Sequence, residues 1–437
     1  MKRYPEYQLF EGNWLSSIPA TWKQFRGKIL FHDIDKRSET GEEELLTVSH
    51  ITGVTPRKEK NVTMFKAESL EGYKLCEVGD FASNTMWMWM GAIGVSKYSG
   101  LVSPSYNVYR QKNSDYLSEY LEYLLREPNL VAEYRRHSTG VRPSRLRLYP
   151  DKFLNIVFPL PSLGEQKAIA DFLDKKTEQI DRFISLQKEA ISLLKELRQA
   201  EITKAVTKGL DENAEMKDSG VEWIGEISSN YTVRRLKYLL NEPLMYGANE
   251  TGISYDVTLP RYIRITDITL DGKLKGEDKL SLSEDIAYPY LLKNNDVLFA
   301  RSGGTVGKAF IYKSEYGRSA FAGYLIKAST NEHLLPDYLY YYTQSSLYEE
   351  WKNQVFILAT IQNIGADKYG NLPIIWQPIN EQQKHVDYLN KKCAEIDSAI
   401  QNKEALIEKV TEYKTRLISD AVTGNIDVRG EDIKPEL

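Results

Sequence analysis

Between Glu165 and Thr207 the apolar residues Leu173, Ile180, Ile184, Ile191 and Leu194 return at steps of three, four and seven, with charged residues filling the gaps. Leu389, Ile396, Ile400, Ile407, Val410 and Leu417 keep the same steps farther along the chain. That spacing places one apolar stripe along a helix and predicts two long amphipathic helices. Pro159 and Pro161 block an earlier start for the first, and Ser162 with Glu165 has the S-x-x-E spacing of a capping box. Asn380 three residues before Gln383 gives the second helix a similar cue, and Gly209 and Gly424 are natural stops. The globular stretches around them mix short β-like runs, such as RYIRITDI and NDVLFARS, with glycine-rich turns. Each ends in a helical stretch, YLSEYLEYLL or YLYYYTQSSLYEEW.

The two helices are copies. EQKAIADFLDKKTEQID starts at Glu165 and EQQKHVDYLNKKCAEID at Glu381, an offset of 381 − 165 = 216 residues. At that offset Glu165, Gln166, Asp171, Leu173, Ile180, Asp181, Ile184 and Ile191 all recur. A fainter echo lies upstream, where WLSSIPATW answers WIGEISSNY. Such a period is too long for a solenoid unit and implies two copies of a domain with a trailing helix. A helix of this length spans about 60 Å, roughly twice the diameter of a small domain, so its far end needs a partner. The linker LDENAEMKDSG reaches at most about 40 Å and could not return the second half along that rod. The expected architecture is therefore α+β: two globular domains separated by a pair of long antiparallel helices, an intramolecular coiled coil with a pseudo-two-fold internal repeat. Its segments are a first domain at 1–161, helix 162–209, linker 210–220, second domain 221–378, helix 379–424 and tail 425–437. Ile180, Ile184, Ile191 and Leu194 are expected to face Ile396, Ile400, Ile407 and Val410 in the helix pair.

Charge adds a candidate site. YRRHSTGVRPSRLRLY, at Tyr134–Tyr149, carries Arg135, Arg136, Arg142, Arg145 and Arg147 and no acid, in a chain of net charge −4. Arginine forks suit phosphates and guanine edges, so this segment is expected to face DNA. The bland alternative is a solvated basic surface. The sparser counterparts in the second half are Arg261, Arg264, Arg301 and Lys308. MWMWM at Met86–Met90, as a strand, would put Trp87 and Trp89 on one face and three methionines on the other. Core packing is its expected fate, and a DNA-facing aromatic wedge is the sharper alternative.

Catalytic motifs fail. RSGGTVGKA has Ser302 where a phosphate loop needs glycine and Ala309 where it needs a hydroxyl. No Pro-Pro pair and no G-x-G-x-x-G occurs, which argues against an adenine methyltransferase site. Pro150-Asp151 with Glu165 and Lys167, and Pro336-Asp337 with Glu350 and Lys352, loosely fit a nuclease, but the glutamates fall in helical runs. Two cysteines and five scattered histidines offer no disulfide framework or metal spacing. No run approaches the roughly 20 apolar residues of a membrane span, and MKRYPEYQLF lacks a signal-peptide core, so a cytoplasmic protein is expected.

PLPSLGEQKAIADFLDKKTEQIDRFI, LLKELRQAEITKAVTKGLD and MKDSGVEWIGEI together resemble the DNA-specificity (S) subunits of type I restriction-modification systems. GDFASNTMWMWMGAIGV, SPSYNVYR and NDVLFARSGGTVGK look like that family's target-recognition domains. The resemblance covers almost the whole chain. It implies a non-catalytic subunit that reads a bipartite site in double-stranded DNA. It also implies two adenine-N6 methyltransferase (M) subunits as partners and motor-nuclease (R) subunits in the full complex. S-adenosylmethionine, ATP and Mg²⁺ would bind those partners. Gln401, Asn402 and Lys403, and Gly424-Asn425 in place of Lys208-Gly209, depart from the first copy and imply a different docking of the second helix. The rivals are a nuclease or methyltransferase acting alone, and a coiled-coil scaffold that never touches DNA.

Overall fold

The computed structural model describes residues 2–59, 69–141, 146–269, 272–357 and 363–430. The chain divides into two units, Met1–Gln187 with Ala405–Leu437, and Lys188–Glu404. Both mix helices and strands.

In the first unit a four-stranded antiparallel sheet is built from β1 (Phe31–Ile34), β2 (Phe81–Asn84), β3 (Ile93–Val95) and β4 (Tyr106–Gln111), in the order β1-β4-β2-β3. Successive side chains on a strand point to opposite faces, and both faces are covered here. Phe81 and Tyr109 join an aromatic core with Phe31 and Phe153, while Ala82 and Val108 join a second cluster with Leu46, Val48 and Val102. Helix α1 (Ser118–Leu125) buries Tyr120, Leu121, Leu124 and Leu125 against the aromatic core. Helix α2 (Pro128–His137) follows at once, capped by the buried Glu127 carboxylate, which accepts the Leu130 N–H at 2.7 Å.

A 45-residue helix, α3 (Leu163–Thr207), then begins. Its start is the one the sequence predicts: Ser162 Oγ accepts the Glu165 N–H at 3.3 Å. It stops at Gly209, whose φ of +83° suits glycine. Ile180 and Ile184 pack in the first unit's core with Val410, Leu417, Ala421 and Val422, which come from the end of the last helix. Asp181 accepts from Lys414 Nζ at 2.6 Å between the same two helices.

The second unit repeats the sheet. Strands β5 (Met245–Tyr246), β6 (Val297–Ala300), β7 (Ala309–Ile311) and β8 (Leu325–Ala328) are antiparallel in the order β5-β8-β6-β7. Val297 and Phe299 face one cluster, and Leu298 and Ala300 the other. Helices α4 (Pro336–Tyr342) and α5 (Ser346–Ile357) stand where α1 and α2 stand in the first unit's chain order. The last helix is α6 (Ile379–Val422). Asn380 does not cap it. The helix starts one residue earlier, and Pro378 O accepts from Glu381 N and Gln382 N at 2.9 and 3.0 Å. Within this unit Ile202, Ala205 and Val206 of α3 share a core with Val386, Leu389 and Cys393 of α6. Arg198 donates to Asp397 at 2.9 Å and Tyr388 to Glu201 at 2.9 Å.

One buried residue repeats with its bonds. Gln166 accepts from Leu117 N at 2.8 Å and donates to Asp115 O at 2.8 Å and Pro161 O at 3.0 Å. Gln382 accepts from Leu335 N at 2.9 Å and donates to His333 O at 2.9 Å and Gln377 O at 2.7 Å. Each ties the first turn of a long helix to the entrance of its unit's late helices.

The second unit also buries His385. Gln377 Nε2 stands 2.6 Å from its Nδ1 and donates to it while that nitrogen carries no proton, and Tyr231 Oη lies 3.4 Å from Nε2. Burial pushes the imidazole down to about 4. The folded pKa is therefore below the unfolded value near 6.5, so the unfolded state binds the extra proton between those limits. Stability from the neutral ring is complete above about pH 6.5 and is lost as pH falls toward 4. Unfolding titrations should show the second unit weakened by about 2 kcal/mol at pH 5 relative to pH 7. A His385→Gln variant with an undiminished pH slope would remove His385 as the cause.

Candidate nucleic-acid interface

The Met86–Met90 run is not a strand. It is the turn between β2 and β3, wound as a single 3₁₀ turn over Met88–Met90 and closed by Gly91 at φ +85°. Trp87 N donates to Asn84 O at 2.9 Å, Met90 N to Trp87 O at 2.9 Å and Ala92 N to Trp87 O at 3.2 Å. Period-two alternation therefore fails, and core packing holds only for Met88, which is 1% exposed. Trp87 is 47% exposed. The two indoles stack, 6.4 Å apart and 15° from parallel, and Trp89 Nε1 donates to Met86 O at 2.9 Å.

The last turn of α2 lies beside this turn. Arg135 is exposed and places its guanidinium 5.7 Å from the Trp89 ring centre. Arg136 is held instead by Glu133, at 2.6 Å, and His137 Nε2 also approaches that carboxylate, at 3.0 Å. Burial opposes ionisation of Glu133, but the Arg136 and His137 bonds outweigh it and keep the carboxyl below its usual range. Arg147 is exposed and its backbone pairs with Thr139. Arg142 and Arg145 lie outside the described residues. The first unit thus brings Arg135, Arg136 and the tryptophan pair to one neighbourhood.

The second unit separates its candidates. Arg261 is 7% exposed and donates to Lys275 O, so it is a packing residue and not a surface cation. Strand burial of a long cation has no local sequence signal. Arg264 is drawn to Asp267 at 2.7 Å and to Asp278 O at 2.8 Å. Arg301 and Lys308 flank the turn between β6 and β7, with Ala300 N donating to Lys308 O at 2.8 Å. Arg301 sits 4.9 Å from the ring centre of half-exposed Tyr246, a partner that sequence spacing could not reveal. The glycines here close a turn between antiparallel strands and do not open a helix, so no phosphate loop is formed. An open cleft of about 770 Å³ beside Lys308 is lined by Lys195, Arg198 and Lys273 but also by Glu349, Asp397 and Glu404, and these charges offset one another.

The nuclease-like pattern is also dispersed. Glu165 accepts from Trp22 Nε1 at 3.1 Å at the head of α3, Asp151 is exposed in a short turn of helix, and Glu350 lies within α5. Among the described residues no helix is long and apolar enough to cross a membrane.

The helix-face residues named from periodicity are all removed from solvent to some degree. Ile180, Ile191, Ile396 and Ile400 are buried, and Ile184, Leu194, Ile407 and Val410 are half-buried.

Comparison with known proteins agrees with this architecture. The family model for the type I restriction modification DNA specificity domain matches residues 77–196 and 281–410, more than half of the chain. The specificity subunit of the type I restriction enzyme MjaVIII of Methanocaldococcus jannaschii is 24% identical over 346 residues, 76% of this chain and 75% of its own length. That of EcoKI from Escherichia coli is 22% identical, covering 66% and 61%. Among solved structures, a chain from a study of complex assembly in the type I R-M system matches 94% of this chain and 99% of its own length. Its TM-score is 0.70 at 14% identity. The HsdS subunit from Thermoanaerobacter tengcongensis matches with a TM-score of 0.52 at 15% identity, over 94% and 98%. With one family model matching it twice, the chain belongs to the type I restriction modification DNA specificity family.

Proposed function

We propose that this chain is the DNA-reading subunit of a type I restriction-modification complex, each unit recognising one half of a bipartite site in double-stranded DNA. The observation that carries the reading is the repetition of one sheet order, with the same strand directions, under two turns of unlike composition. One scaffold with two different tips suits two different half-sites.

The helices α3 and α6 act as an antiparallel coiled-coil pair with a pseudo-two-fold axis, and set the untouched spacer between the half-sites. Two ion pairs support this. Asp181–Lys414 and Asp397–Arg198 join the start of one helix to the end of the other, and their members correspond at the same 216-residue offset (397 − 181 and 414 − 198). The chain itself performs no chemistry. Two M subunits dock on it and R subunits complete the assembly in the cytoplasm, with S-adenosylmethionine, ATP and Mg²⁺ held by those partners.

Arg301 and Lys308 are the second unit's DNA-facing cations in this reading. In the complex with M subunits, Arg301→Ala with Lys308→Ala should weaken DNA binding at least tenfold. The salt slope should fall by about one for each phosphate that is no longer neutralised. Mapping of methylated adenines should then show relaxed sequence only in the second unit's half-site. Unchanged affinity and salt slope would remove this turn from the interface. Partner assembly without any DNA footprint would favour a scaffold, and methyl transfer by the purified chain alone would favour an enzyme.

A further inference from the structure

The turns 85–92 and 301–308 occupy the same place in the two units, between the second and third strands of sheets of identical order. They correspond at the 216-residue offset, and each closes on a glycine of positive φ, +85° at Gly91 and +83° at Gly307. The residues ahead of those glycines have nothing in common. One unit has Met86-Trp87-Met88-Trp89-Met90, and the other has Ser302-Gly303-Gly304-Thr305-Val306. The scaffold closes this turn without any aromatic ring, so the fold does not demand the indoles.

Their placement also costs solvation. Met86, Trp87 and Met90 are 43%, 47% and 38% exposed on one tip, an apolar group held rigid by the backbone bonds described above. Arg135 leans on the stack, Arg136 and Arg147 are exposed on the same unit, and the last turn of α2, Tyr134–His137, contains no acid. The cation placed against this apolar point is Arg135, Arg136 being paired with Glu133, and an indole stack carrying a guanidinium matches a base step beside a phosphate.

We propose that the Trp87 indole, backed by Trp89 and Arg135, is a wedge that the first unit presses into a base step of its half-site. Such wedges partly unstack the step, which is cheapest at flexible pyrimidine–purine steps. The second unit, lacking rings at its turn, recognises its half-site without that deformation. The inference rests on the DNA-reading function proposed above and names the residues that would give the first half-site its deformability requirement.

The test uses the complex with M subunits, comparing wild type, Trp87→Ala and Trp87→Phe on duplexes carrying 2-aminopurine at successive steps. Wild type should raise the fluorescence at one step in the first half-site. Trp87→Ala should abolish that rise and weaken binding about tenfold or more, as removal of one aromatic ring from a stacked base does. The salt slope and the second half-site's mismatch penalties should stay unchanged. Trp87→Phe, which keeps a ring, should stay within about threefold of wild type. A wild-type footprint with unaltered binding by Trp87→Ala overturns the wedge alone, as does a Trp87→Ala loss of M-subunit docking at unchanged DNA affinity. A wild-type complex that leaves no footprint overturns the DNA-reading function together with the wedge.

Discussion

Exchanging Gln166 for leucine should destabilise the first unit by about 3 kcal/mol or more, although the new side chain has nearly the same volume and is more apolar. The reason is what leucine leaves behind. Leu117 N–H, Asp115 O and Pro161 O would each be deprived of a bond to a side chain that is fully buried, and an unpaired buried group costs about 1–3 kcal/mol. Burying the leucine's extra apolar surface returns only part of that. For a unit of this size about 3 kcal/mol corresponds to a melting shift of roughly 6–12 °C. Gln382→Leu should act alike on the second unit, because the same three kinds of bond surround it. Calorimetry on both variants checks this. A shift below about 2 °C in both would mean that water replaces the missing partners.

The second large effect concerns specificity. Inserting one heptad into both long helices, at the corresponding positions Ser192 and Glu408, adds about 10 Å to each rod. The register of the apolar stripe is kept because seven residues restore the helix face. If the helices set the distance between half-sites, the preferred spacer should lengthen by about three base pairs and the parental site should no longer be read. Methylation mapping in cells carrying the inserted gene reads both changes. A preferred spacer that stays unchanged in a folded complex would end the ruler idea. An insertion in one helix alone should disrupt assembly, since Arg198–Asp397 and Asp181–Lys414 could not both form.

What is legible in the sequence is local or periodic. Apolar steps and the Ser162 cap locate α3, and an offset of 216 residues exposes the repeat. Gln166 and Gln382 stand out as a recurring pair, but two of the three partners of each lie about 50 residues upstream and no spacing rule connects them. Met86–Met90 reads wrongly as a strand because five alternating residues are too few to separate a strand from a tight turn, and Gly91 decides for the turn. Arg261 misleads for a similar reason. The strand-like run RYIRITDI shows that an arginine is present, whereas its burial depends on which distant carbonyl, here that of Lys275, closes over the side chain. Exposed recognition surfaces are the hardest to foresee, since nothing in the core constrains them.

The first unit's core has a consequence for synthesis. Leu417, Ala421, Val422 and Val428 close it, so translation must continue for 428 − 187 = 241 residues after the N-terminal part of that unit has been made. At usual elongation rates this is a wait of roughly 12–50 s with aromatic surface uncovered. The second unit is continuous in sequence and can be completed meanwhile. The half that leaves the ribosome first is therefore the last to mature, and nascent chains stalled before the final helix should be the ones chaperones hold.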